Sequence, residues 1–402
     1  MKAVRQTPSR IWPRILPTLL LLSTCVVFIV TTGQVKRVHL WGTTLDRDQH
    51  IISWSECKEG CCEKAQRVVK QTEYTEKNLV CFHLNFGENL VQQYFHLTPF
   101  DNVFSHYLSM ARKFLENTIA HGTLSGEVVW KIQDDATINP VSQAEFISAR
   151  VATVGHSIHR NRGNISMYTA LVPNFHFIEH NSFSDLSNYA ATISAPSSSL
   201  RPQVFWAGST TGVPCRGQHP CNNSCKDLQR YELVRLSQEI EWLNFSLTNA
   251  IQWCQGDEAE LRALNMQSKR TNEIEWLQYR GIFDVDGNVD AWGSRWRLAT
   301  NSVVFQVKSD YINQYSSALI DGEHYIEISE NLADLQSKTA LVMRNDKKSL
   351  KYMANIAKNA RQAVAAFTLE SASESAAFAL INFFYRGKPQ FPLHNPLENQ
   401  MA

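Results

Sequence analysis

Between residues 284 and 300 the chain reads DVDGNVDAWGSRWRLAT, and two kinds of chemistry suit that stretch. Asp284 and Asp286 have the Asp-x-Asp spacing with which two carboxylates can hold a divalent cation against a diphosphate. Arg295 and Arg297 bracket Trp296 just after the turn Trp292-Gly293-Ser294. Main-chain N–H groups at such a turn, joined by planar guanidinium forks that stay charged, suit an anion such as a diphosphate. Asp, Gly and Asn also favour turns through local hydrogen bonds. We read Asp284 and Asp286 as turn formers, with no metal site. A second anion-binding candidate is VFWAGSTTG (204–212), where an apolar strand runs into small, hydroxyl-bearing residues including Ser209 and Thr210. Arg230, in the helix that follows, adds a cation. The same residues also describe a surface turn with solvated arginines, and spacing alone leaves both readings open.

Two adjacent carboxylates stand further upstream. Asp134 and Asp135 follow the apolar strand GEVVWKI (126–132). Neighbouring residues at a strand end point in different directions, so only one of the two carboxylates can face a cleft; a turn cap is the alternative. His324-Tyr325, ahead of another strand, either lines a pocket or forms a half-buried pair at a strand start. No second carboxylate stands out as the partner that a glycoside hydrolase requires.

These residues need a scaffold. The chain has 402 residues, 44% of them hydrophobic, enough for a large core in two lobes. Its 39 basic and 38 acidic residues leave a net charge of +1, a balance unlike the basic excess of nucleic-acid-binding surfaces. Lys2, Arg5, Arg10 and Arg14 precede the apolar run ILPTLLLLSTCVVFIVTT, about 18 residues, close to the length that spans a bilayer. The basic flank keeps the N-terminus cytosolic; a cleaved signal peptide is the alternative. Apart from Cys25 in that run, the cysteines form two groups of four: Cys57, Cys61, Cys62 and Cys81, then Cys215, Cys221, Cys225 and Cys254. In a secretory compartment they read as disulfides, and their spacings do not make paired zinc knuckles. Sequons at Asn164, Asn222 and Asn244 fit a glycosylated lumenal domain.

Short β-rich runs alternate with helical periodicity, as in stacked βα units. The pattern divides into a cytosolic tail and signal anchor (1–32), a stem (33–50), an N-terminal lobe (51–195), a C-terminal lobe (196–385) and a tail (386–402). The Ser/Pro-rich stretch YAATISAPSSSLRP (189–202) marks the lobe boundary. Long helices are expected over CKDLQRYELVRLSQEIEWL (225–243), DYINQYSSAL (310–319) and Lys347–Phe367. In an open parallel sheet, ligands sit beyond the C-terminal strand ends.

Residues 284–362, from DVDGN through LATNSVVFQVKSDY and HYIEI to the final helix, resemble glycosyltransferase family 90. That family includes capsule-associated xylosyltransferases and Rumi-type protein O-glucosyltransferases. VFWAGSTTG with Arg230 is similar to its upstream sugar-nucleotide loop, except that Ala207 stands where the family often has arginine. The resemblance implies an α/β, GT-B-like fold of two Rossmann-like lobes facing a cleft, and the apolar run places one transmembrane helix before it. It implies an inverting transferase that moves glucose or xylose from a UDP donor to a hydroxyl of a protein or glycan, without a metal or other cofactor. Carried over by position, Asp134 is the base. Ser209, Thr210, Arg230, Trp292, Gly293, Ser294, Arg295 and Arg297 contact the nucleotide sugar. A Golgi or ER membrane protein of type II topology, with a lumenal catalytic domain, follows from the anchor and the family together. An inactive carbohydrate-binding or scaffold protein of the same fold is the alternative.

Overall fold

The computed structural model describes residues 54–57, 61–74, 77–84, 92–122, 124–132, 140–159, 169–193, 197–215 and 222–386, all within one compact unit, His50–Ala402. The apolar run and stem, Asp134, Asp135 and Asn164 lie outside the described residues. Among those described, no single helix is long and apolar enough to cross a membrane.

The polypeptide forms two sheets of an α/β protein. The first is built from β1 (Trp54–Glu56), β2 (Leu79–Leu84), β3 (Gln92–His96), β4 (Gly126–Lys131), β5 (Ala152–Gly155) and β7 (Thr169–Leu171), in the order β1-β3-β2-β4-β5-β7. It is mixed: β2 runs antiparallel to both β3 and β4, while β4, β5 and β7 are parallel. The expectation of two Rossmann-like sheets is therefore met in full by the second sheet alone. That sheet comprises β8 (Arg201–Gly208), β9 (Leu243–Leu247), β10 (Tyr279–Asp284), β11 (Val303–Val307) and β13 (Ile326–Ile328), all parallel, in the order β13-β11-β10-β8-β9. A two-residue antiparallel ribbon joins β6 (Ile158–His159) to β12 (Tyr311–Ile312), pairing one half of the chain with the other.

Sequence explains the central strand. Every residue of β10 (YRGIFD) is buried, as expected for a parallel strand covered on both faces. The helix Lys347–Ala365 covers this sheet with Met353, Ile356, Ala357, Ala360 and Val364, a stripe at helical spacing. Asp346 caps it, accepting from Ser349 N at 2.9 Å. The terminal helix Leu369–Arg386 crosses back to the first half. Built Cβ atoms at Gly122 and Gly126 would lie 2.6 Å from Ile381 and 2.4 Å from Phe384, so these glycines let that helix approach.

Two expected helices are shorter. Of 225–243, only Gln229–Ser237 is α-helical, because Leu228 is extended (ψ 133°) between it and a single turn at Cys225–Asp227. Within 310–319, Tyr311–Ile312 is strand and Ser316–Ala318 a single turn; cross-half pairing overrides helical periodicity there. Cys57–Cys61, Cys62–Cys81 and Cys225–Cys254 are disulfide-bonded, and Cys215 also lies in a disulfide.

The fold makes a sharp demand at Gly281 in β10. A Cβ there would meet Phe305 and Val204 at 2.9 Å and Val342 at 3.1 Å. Gly281→Ala is expected to destabilise by about 1–3 kcal/mol through overpacking. Urea denaturation should show a lower midpoint at unchanged slope; an unchanged midpoint would refute tight packing at this crossing.

Candidate functional site

The loops leaving the C-terminal ends of β8, β10 and β11 meet, and Arg230 pins the first two. Its Nη1 donates to Ser209 O (3.0 Å) and Thr211 Oγ1 (2.5 Å), its Nη2 to Val285 O (3.0 Å) and its Nε to Asp286 O (2.9 Å). The guanidinium also lies 5.5 Å from the centre of the Trp206 ring. Gly287 permits the approach, since a Cβ would stand 2.8 Å from Thr211 Oγ1 and 3.1 Å from Arg230 Nη2. Gly212 N donates to Asn288 Oδ1 at 3.1 Å. Thr210 is fully buried and faces the loop after β9: its hydroxyl accepts from Ile251 N and donates to Ile251 O, both at 2.8 Å. Thr210 and Arg230 thus shape the loop from inside, while Ser209 and Thr211 remain partly exposed.

The loops after β10 and β11 are fastened by side chains in alternating register. Ser309 Oγ donates to Asp286 Oδ2 at 2.7 Å, Tyr311 Oη to Asn288 O at 3.1 Å, and Asn313 Nδ2 to Asp290 Oδ2 at 3.0 Å. Because Tyr311 also belongs to the β6–β12 ribbon, this zipper reaches the opposite half. Tyr311 meets the His159 ring there at 5.2 Å.

Asp284, the last residue of β10, is 1% exposed. Its carboxylate accepts from the Ser294 hydroxyl and forms an ion pair with Arg297. It therefore anchors the short helix Ser294–Leu298, a role beyond the turn former expected; Asp286 accepts from Ser309 in the loop after β11. Arg297 lies between Trp276 (5.1 Å) and Trp296 (5.3 Å), stacking that suits its weakly hydrated plane. A Cβ on Gly293 would stand 2.9 Å from Arg297 Nη2. Arg295 is 5% exposed; its Nε donates to Phe367 O at 3.4 Å and its Nη1 has no partner among the described residues. Burial lowers its pKa to about 10. Among the described residues, no group of His, Cys, Asp and Glu has the arrangement of a metal site.

Trp292 ends the loop as a wedge between the halves. Its ring meets His176 (5.0 Å), His156 (5.3 Å), Tyr107 (5.7 Å) and Phe175 (6.1 Å), and its carbonyl accepts from Asn174 Nδ2 at 3.4 Å. Burial, offset in part by Glu179, lowers the pKa of His176 and favours its neutral form. His324 lies at the entering end of β13, where its Nδ1 accepts from Ile320 N at 3.0 Å. Asn222 and Asn244 are exposed. Sequence reasoning missed Asp290, Asn174 and the Ser309-Tyr311-Asn313 row. The matching period-two polar pattern of 286–290 and 309–313 could have revealed the zipper.

Residues 201–369 match the family model described as glycosyl transferase family 90. No curated protein matches the chain. Among solved structures it is similar to Anabaena Alr3699/HepE in complex with UDP, at 12% identity over 70% of this chain and 86% of that one, with a TM-score of 0.36. It is also similar to the pneumococcal O-GlcNAc transferase GtfA in complex with UDP and GlcNAc, at 11% identity over 62% of this chain and 55% of that one, with a TM-score of 0.34.

The Asp284–Arg297 pair gives a direct test. Removing one partner of a buried pair costs about 3–5 kcal/mol because the other charge is left uncompensated. Arg297→Ala should show that loss in chemical denaturation, and Asp284→Asn combined with it should recover part of it. Additive losses in the double variant would mean that the two side chains are not coupled.

Proposed function

We propose that this chain, whose residues 201–369 form a family 90 glycosyltransferase domain, transfers a sugar from a UDP donor to a hydroxyl of a protein or glycan. The observation that carries the reading is the family match itself. It runs from the first residue of β8 to Leu369 and so covers the whole parallel sheet with the loops at its C-terminal ends, where ligands of such sheets bind.

The geometry supports a division of labour among the residues of the resemblance. Arg230, Thr210 and Arg297 are engaged inward, so they position loops. Contact with the diphosphate falls to main-chain N–H groups and hydroxyls at Ser209–Gly212 and to the turn Trp292-Gly293-Ser294, with Arg230 and Arg295 as fixed positive charge behind them. Donors that need no reorganisation stabilise the charge developing on a leaving diphosphate. The acceptor hydroxyl attacks the anomeric carbon, Asp134 takes its proton, and UDP leaves from the opposite side with inversion and without a metal. A GT-B arrangement, glucose or xylose as the sugar, a signal anchor and a Golgi or ER membrane setting with a lumenal domain complete the proposal. Two observations favour a second reading, a protein that binds nucleotide sugar without turnover: Ala207 carries no cation, and Arg230 and Arg297 already have protein partners.

UDP release from a panel of UDP-sugars, with protein and glycan acceptors and with or without EDTA, tests the proposal. The expected result is release from one donor that survives EDTA and falls about 10²–10⁴-fold in Asp134→Asn, the usual contribution of a general base. Donor binding without release under any condition would establish the second reading. Loss of release in EDTA would overturn the metal-free mechanism.

A further inference from the structure

Asp290 is the third buried carboxylate after Asp284 and Asp286 on the segment leaving β10. Asp284 has Arg297 and Asp286 has Ser309, whereas no cation is paired with Asp290 among the described residues. Its Oδ2 accepts from Asn313 Nδ2 at 3.0 Å. Its Oδ1 has no hydrogen-bond partner there. That oxygen's carboxyl group faces the Ser157 hydroxyl, which also lacks a partner of full hydrogen-bond geometry. Ser157 belongs to the other half and immediately precedes β6, the strand that pairs with β12. The zipper, the ribbon and the opposite half therefore converge on one uncompensated acid.

The charged and titratable groups that face Asp290 are Asp286 and Asp284 from its own segment and Tyr315 from the segment after β12. Asn313 and Ser157 are neutral. Arg295 faces Tyr315. Burial first, then the two carboxylates, push the Asp290 carboxyl up to about 7, against the opposing hydrogen bonds from Asn313 and Ser157. Burial and the neighbouring carboxylates push the Tyr315 phenol up as well, so it stays neutral.

We propose that Asp290 is a positioning residue. Its protonated carboxyl holds the zipped loops against the opposite half, and loss of that proton loosens the loops that receive the donor. The last clause rests on the donor-site reading above; the first does not. The ionised form would place an unpaired negative charge in a buried junction beside Asp286 and the Asp284–Arg297 ion pair. Such charges are relieved by admitting water or by moving apart.

The direction of the pH effect follows from linkage. An aspartate in an unfolded chain loses its proton near pH ~3.9, while Asp290 in the folded chain keeps its own to about 7. Between those values the folded state binds one more proton than the unfolded state. Stability therefore falls as pH rises through that window and levels off above it. Asp290→Asn keeps a neutral side chain of the same shape and removes the slope.

Thermal unfolding of the full chain and of Asp290→Asn from pH 5 to 8 is the test, followed by calorimetric titration with UDP. The melting temperature of the variant should rise relative to that of the unaltered protein between pH 5 and 7, then hold a constant gap. The UDP affinity of the unaltered protein should fall from pH 6 to 8, by no more than about tenfold per unit for one proton, and that of the variant should stay level. Ser157→Ala removes the hydroxyl that faces the carboxyl and favours its ionised form, so it should move the melting window to higher pH. This gives an independent reading if Asp290→Asn fails to fold. A melting gap that does not change with pH, or an unmoved window in Ser157→Ala, would overturn the proposal. Absence of UDP binding at every pH would count against the donor site, while the ligand-free melting comparison would still decide the role of Asp290.

Discussion

The structure depends on the fastening of Asp286, Asn288 and Asp290 to Ser309, Tyr311 and Asn313. Loops beyond parallel strands ordinarily present polar backbone to water and move independently. Here two of them are joined by side chains, and a ribbon continues the attachment into the other sheet. Trp292 adds an apolar contact beside the polar one. The result is a junction whose geometry is set by directional bonds and filled by rings, so that one half cannot shift without disturbing both.

The arginines take an inward part in this arrangement. Guanidinium groups are easily assigned to bound anions, because their forks match phosphate oxygens. In this chain the forks of Arg230 and Arg297 close on carbonyl groups, a hydroxyl and a carboxylate of the protein. Their charge still contributes to the local field, but their donors fix the backbone. A rigid turn with a cation behind it differs from a flexible clamp: it leaves main-chain N–H groups to make directional contacts and needs little rearrangement when an anion arrives.

Much of the second half was legible in sequence. Apolar runs such as VVFQV and GIFDV mark buried parallel strands because those strands need apolar residues on both faces, and the periodic stripe of Lys347–Ala365 announced a covering helix. The site was legible as a set of segments, 204–212, Arg230 and 284–297, but not as a set of roles. Direction is a tertiary property: nothing local tells Arg297 to turn toward Asp284, or Thr210 toward Ile251. The same limit explains Tyr311. Its surroundings carry helical periodicity, yet pairing with His159, far away in the chain, makes it a strand. The antiparallel placement of β2 likewise depends on partners on both sides, which no local pattern specifies.

The helix Leu369–Arg386 gives the molecule an order of assembly. Phe384 rests over Gly126, at the start of β4, so part of the first sheet's covering comes from a segment made after the whole second sheet. A polypeptide emerging residue by residue can close the parallel sheet of its second half as soon as β13 and the covering helix exist. Its first half must meanwhile hold apolar surface uncovered, although it was synthesised earlier. This inverts the usual N-to-C sequence of domain completion. The first half would then need shielding until that helix arrives.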